Sequence, residues 1–204
     1  MNLRYISIIA ILLIYTSIFI NGCFGNETIN LDFKTTEKSP LISVRPFRIK
    51  ILNFDDKRAG QIDPVLIGYR EAAWGVQMGA VYSDLPVSEI IQSAVKTELT
   101  KSGHIIVDKN EDILIKGEVR TYWVSTPATL LYWDVIGEVG IVIMVKKTDD
   151  DSFIKLDSYN GRNVERTYLY PSVAIMKRVL GASLDKVMQK MSSDEKLIKV
   201  YKKK

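Results

Sequence analysis

Residues 112–147, DILIKGEVRTYWVSTPATLLYWDVIGEVGIVIMVKK, decide the fold. From Asp112 to Val124 apolar and polar side chains alternate, the two-residue period of a strand with one face buried. Ser125-Thr126-Pro127-Ala128 interrupts the pattern, Leu130 to Lys147 resumes it with a long β-branched run, and Lys147 to Asp151 turns the chain into Phe153 to Tyr168. Three long strands joined by short connections predict an antiparallel meander. Immediately upstream, His104 to Val107 is a short apolar strand. Before it, Val87, Ile90, Ile91, Ala94, Val95 and Leu99 fall on one face of a helix that Pro86 opens, Asp84 or Ser83 can cap, and Gly103 stops. Phe47 to Phe54 alternates as a first strand. Downstream, Ser172 to Met191 carries Val173, Met176, Leu180, Leu184, Val187, Met188 and Met191 on one stripe, a second amphipathic helix. The order strand, helix, short strand, three long strands, helix predicts an α+β domain. In it, two helices pack on one face of a mostly antiparallel sheet of four to five strands.

The ends read differently. Arg4 precedes a mostly apolar run from Ile6 to Ile20, shorter than the roughly 20 residues that span a bilayer, and so reads as a secretory signal rather than a membrane helix. Ile20-Asn21-Gly22-Cys23 closes it and resembles a lipobox: a small residue before the cut, then the thiol that takes the lipid. Residues 1–22 are expected to be removed between Gly22 and Cys23, with acyl chains on Cys23 holding the mature chain to a membrane. Residues 23–43 lack a sustained apolar period and read as a flexible tether, which fully extended would reach about 60 Å. A single domain is expected over 44–192, followed by a basic tail, 193–204. In enteric bacteria aspartate after the acylated cysteine favours inner-membrane retention, so Phe24 fits delivery to the outer membrane, facing the periplasm.

Charge and composition exclude several functions. The formal net charge is +4, with the cations dispersed except at Lys202-Lys203-Lys204, which does not suit nucleic acid. The chain has one cysteine and one histidine. Acylation removes the thiol, and His104, set between a helix-stopping glycine and a strand, reads as structural. No nucleophile–base pair, metal-ligand cluster or cofactor motif is present, so neither catalytic nor metal residues are expected, nor any cofactor. Asp55-Asp56 reads as a salt-bridged loop within reach of Arg58 or Arg70, and Asp149-Asp150-Asp151 as a solvated hairpin.

One stretch holds more than folding requires. Asp55 to Leu85 contains Gly60, Gly68, Gly75 and Gly79 among large side chains and shows no clean period, so it reads as a long loop. Aromatic side chains offer wide contact area at little entropic cost, and glycines admit a close partner. Tyr69, Arg70, Trp74, Met78 and Tyr82 are therefore the candidate partner-binding residues; the alternative is that they cap one end of the sheet. A second cluster, Tyr122, Trp123, Tyr132 and Trp133, is expected to converge near a hairpin tip.

Taken together, the lipobox, Phe54-Asp55-Asp56-Lys57-Arg58, Asp63-Pro64-Val65-Leu66-Ile67-Gly68, Tyr82-Ser83-Asp84-Leu85-Pro86-Val87 and Gly117-Glu118-Val119 leading to Trp123 resemble the YajG-like group of bacterial lipoproteins over residues 45–192. That group looks like the wider set of small envelope lipoproteins that includes auxiliary components of ABC-type transport systems. The resemblance implies an α+β envelope domain and carries no catalytic residues. The function expected is a non-catalytic envelope adaptor for a protein partner, or alternatively a lipid- or peptidoglycan-binding component of an envelope system.

Overall fold

The computed structural model describes residues 25–31, 33, 41, 45–60 and 63–202. Gly22, Cys23 and the signal segment 1–22 lie outside the described residues. In chain order the elements are β1 (Glu27–Ile29), β2 (Arg48–Ile51), β3 (Asp55–Asp56), β4 (Leu66–Ala73), β5 (Gln77–Ser83), α1 (Val87–Lys101), β6 (Ile105–Ile106), β7 (Ile113–Ala128), β8 (Trp133–Lys147), β9 (Ile154–Thr167), α2 (Val173–Ser192) and α3 (Glu195–Lys202).

The meander β7–β8–β9 is the spine, antiparallel throughout. Along β7 the buried positions are Ile113, Ile115, Gly117 and Val119, then Tyr122, Val124 and Thr126. The parity changes because the register with β8 shifts between Val119 and Thr121, a bulge that returns the apolar side chains to the core face. On its other edge β7 is lined in succession by β2, β3 and β4, each parallel to it. β6 extends the β2 arm, and β5 then β1 extend the β4 arm.

The sheet therefore differs from expectation: among the described residues it is a nine-stranded mixed sheet, not an antiparallel one of four to five strands, and three helices accompany it. The missed strands are short, and their parallel pairing is set by distant register rather than by local alternation. Asp55–Asp56, for instance, has no apolar side chain to mark it. The stretch read as a loop contains the β4–β5 hairpin, whose period is hidden by two register shifts and by Gly68 and Gly79. Gly68 is required where it stands, since a Cβ there would meet the Val124 carbonyl oxygen at 2.0 Å.

The helices follow their stripes. α1 buries Val87, Ile90, Ile91, Ala94, Val95 and Leu99. Pro86 itself occupies the N-cap, with the Val87 N–H donating to Pro64 O at 3.0 Å, so neither Ser83 nor Asp84 caps the helix. Gly103, at φ 88°, ends it as read. Ser172 caps α2 by accepting from the Ile175 N–H. α2 lies across β8 and β9, with Gly137 and Gly161 beneath it. The Ser183 hydroxyl donates to Gly137 O at 2.8 Å.

The domain is wider than 44–192. Ile29 of β1 and Leu41 are fully buried, so the segment read as a tether supplies a strand and core side chains. Leu197 of α3 is buried in what was read as the tail.

Candidate functional site

Three connections meet at one end of the sheet. Ala73 pairs with Ala128, Ala128 with Trp133, and Trp133 with Thr167. This register brings together the β4–β5 turn, the β7–β8 connection and the start of the β9–α2 connection. Trp74, Val76, Leu130, Leu131, Tyr168 and Leu169 stand out from that end, between 57% and 88% exposed. They are six of the eleven large exposed hydrophobic residues among those described, so the end is a patch and not a scatter.

The patch has a firm base. Thr129 Oγ1 accepts from the N–H groups of Leu131 and Tyr132, at 3.2 and 3.0 Å, and Thr167 Oγ1 accepts from the Leu169 N–H at 3.2 Å. Trp133 Nε1 donates to Glu71 O at 3.2 Å. The Arg166 guanidinium lies 3.7 Å above the Tyr132 ring and forks onto Asp134 at 2.8 and 3.0 Å. That hydrogen bonding holds the Asp134 carboxyl below its usual range and raises Arg166. Beneath them Arg70, 4% exposed, pairs with Glu27 of β1, donates to the Tyr170 hydroxyl at 3.2 Å and lies over the Tyr170 ring.

Trp74 sits in the hairpin turn at φ 64°, beside Gly75 at φ 74°. A large side chain held in the left-handed region and exposed to solvent is explained neither by backbone preference nor by burial. Trp74→Gly should leave stability within about 1 kcal/mol of the parent, since relief of strain offsets the added freedom of the unfolded chain. Urea unfolding checks this. A larger loss would show that Trp74 packs as a core residue.

The sheet face away from α1 and α2 carries a second aromatic group. Tyr69 meets Trp123 edge-on, with centroids 5.7 Å apart. Tyr82 alternates with buried Val81 and Ser83 and points to the same side. Beside them a cleft of about 270 Å³ is lined by Arg58, Ala59 and residues 120–123. Arg58 is buried: it forks onto Asp56 at 2.7–3.1 Å and donates to the carbonyls of Leu66 at 2.7 Å and Pro64 at 3.2 Å. It thereby pins the excursion between β3 and β4. The phenol of Tyr122 is pushed far up by burial and, next, by the Asp84 charge, so it stays neutral. On the outer strand β9, Lys186 and Lys190 of α2 donate to the carbonyls of Arg162 and Asn160 at 2.9 and 2.6 Å, placing charges that discourage strand addition.

The predicted residues thus divide. Tyr69 and Tyr82 share the helix-free face, Trp74 stands on the apolar end, and Met78 is half-buried where the β4–β5 register shifts. Arg70 is not offered to a partner; it is an internal strut. Of the second cluster, Tyr132 and Trp133 reach the tip, Trp123 lies on the helix-free face and Tyr122 is in the core. Leu130, Leu131, Tyr168 and Leu169 escaped the sequence reading. Their signal was adjacent apolar residues in short connections, where turn-forming polar residues are expected.

His104 is structural. Its Nδ1 accepts from the Phe47 N–H at 3.3 Å, which needs an unprotonated Nδ1. Burial lowers its pKa. As pH falls through about 6.5 the unfolded chain takes up this proton before the folded chain does. Between the two pKa values the unfolded state therefore binds more protons, and stability falls with pH. Thermal melts should show a lower midpoint at pH about 5.5 than at about 7.5, with His104→Gln flattening the difference. Equal slopes in the two proteins would refute the assignment.

The structure is thus a small α+β domain with an apolar end and a sheet face that α1 and α2 leave uncovered. The crystal structure of protein XCC0632 from Xanthomonas campestris shares the fold, with TM-score 0.61, 12% identity, and coverage of 86% of this chain and 97% of that one. Lipoprotein GNA1162 from Neisseria meningitidis aligns at TM-score 0.37 and 10% identity over 70% of this chain and 98% of that one. A minor lipoprotein from Acinetobacter baumannii aligns at 0.36 and 8% over 71% and 87%. A search of curated proteins returned no match. A family model described as uncharacterized lipoprotein matches residues 70–201, and the chain belongs to this YajG-like family of bacterial lipoproteins. Membership places it in the cell envelope, anchored to a membrane.

Proposed function

We propose that this lipoprotein is a non-catalytic adaptor of the outer membrane. In this reading, cleavage between Gly22 and Cys23 and acylation of Cys23 tether it on the periplasmic side, and the helix-free face of its sheet engages a protein partner. The observation that carries the reading is the Tyr69–Trp123 pair, half-buried with Tyr82 on a face that α1 and α2 leave uncovered. Such aromatics supply contact area with little side-chain entropy to lose. The only histidine is locked against Phe47, which supports a binding role over acid–base chemistry.

Photo-crosslinking in cells tests it. A photoreactive side chain at Tyr69 or at Tyr82 should capture the same protein, and Trp123→Ala should abolish capture. A probe at Lys177 of α2, on the other side of the sheet, should not capture that protein. Equal capture from Lys177, or none from the sheet face, would overturn the assignment.

A further inference from the structure

We infer that the apolar end of the sheet rests in the headgroup boundary of the bilayer that holds the Cys23 acyl chains, so that the domain stands end-on at the membrane. This depends on the acylation of Cys23 proposed above.

The direction of β1 carries the inference. β1 runs parallel to β5, Glu27 opposite Val81, and Asn26 Oδ1 accepts from the Ala80 N–H at 3.0 Å. Gly25 lies against Gly79: its carbonyl oxygen is 2.4 Å from where a Gly79 Cβ would sit. Read backwards, the chain leaves β1 toward the β4–β5 turn. Gly25 is about four strand residues, or roughly 13 Å, from Gly75. Cys23 is two residues further on, at most about 7 Å of extended chain. The acyl chains would therefore enter the membrane beside Trp74, not at the end of a 60 Å leash.

The chemistry of the two ends agrees. The end nearest Cys23 shows tryptophan, tyrosine and leucine, the side chains that settle at a lipid–water boundary. Ionic groups beneath it are paired, Arg166 with Asp134 and Arg70 with Glu27. The opposite end, between β8 and β9, carries Lys146, Lys147, Asp149, Asp150 and Asp151, with α3 beside it. An apolar end beside the anchor and a charged end away from it set one orientation. The helix-free face then stands clear of the bilayer.

The test uses the acylated full-length mature protein in phosphatidylethanolamine–phosphatidylglycerol vesicles containing lipids brominated near the headgroup. One variant keeps only Trp74 (W123F, W133F) and another keeps only Trp123 (W74F, W133F). Trp123 is five residues from Ala128, roughly 17 Å up the strand. Trp74 emission should be quenched and blue-shifted while Trp123 emission is neither. Adding Leu130→Asp and Leu131→Asp, both at exposed positions, should lower Trp74 quenching severalfold while the protein still floats with the vesicles. Unquenched Trp74 in floating protein of acylated mass would overturn the end-on contact and leave the anchor intact. Equal quenching of both tryptophans would overturn the orientation. Protein that neither floats nor shows the acyl mass would overturn the anchoring on which the inference depends.

Discussion

Gly161→Ala should lower stability by about 3 kcal/mol, the upper part of the range for forcing a methyl into a packed interface. The added Cβ would lie 2.1 Å from the Ser183 carbonyl oxygen and 3.0 Å from a Val187 methyl. A backbone carbonyl in the middle of α2 cannot swing aside; the helix itself must rise from β9. Gly137→Ala, whose Cβ would sit 3.0 Å from backbone atoms of Val179 and Leu180, should cost less, because a few tenths of an ångström suffice there. Gly25→Ala meets nothing within 4 Å and serves as the control. Denaturant midpoints give the order Gly161, Gly137, Gly25. Gly161→Ala as stable as the control would mean that α2 is not seated as described.

Arg58→Met should be comparably destabilising, by about 3 kcal/mol, the low end for breaking a buried ion pair. The estimate is set low because Asp56 keeps 23% of its side-chain exposure and can be rehydrated. Pro64 O keeps the Val87 N–H, but the Leu66 carbonyl loses the guanidinium that donates to it. Arg58→Lys should recover only a small part, since an ammonium cannot fork onto Asp56 while donating to two carbonyls. The excursion between β3 and β4 should then become the preferred site of limited proteolysis. Full rescue by lysine would reduce Arg58 to a point charge.

What could be read in the sequence follows the range of the interaction. The meander and both long helices were legible because each repeats a local period, and every residue of the stripe from Val87 to Leu99 is buried in α1, with Glu98 beside them. β1 and β3 were missed because a strand of two or three residues has no period; β2 and β6 were read as strands, but their parallel pairing lies with residues elsewhere in the chain. The β4–β5 hairpin was hidden by its bulges, which shift the alternation the eye follows. Trp74 stood out in the sequence, while its neighbours Leu130, Leu131, Tyr168 and Leu169 formed a patch with it only when register placed three turns side by side. Arg70 misled for the same reason: an arginine among aromatics looks like a binding residue until Glu27, from a strand in the supposed tether, is found paired with it. Asp55-Asp56 was the simpler case, since its ion pairs are Asp56 with Arg58, as anticipated, and Asp55 with Lys116.

Cys23 underlies the placement of every surface described above, and mass spectrometry of the protein taken from membranes tests it most directly. Anchoring predicts that the mature chain begins at Cys23 and that its first tryptic peptide, ending at Lys34, carries a thioether-linked diacylglycerol and an N-acyl group. Cys23→Ser should accumulate as the uncleaved precursor. A mature peptide with a free thiol at Cys23, or a chain that keeps residues 1–22 in the wild type, would contradict it.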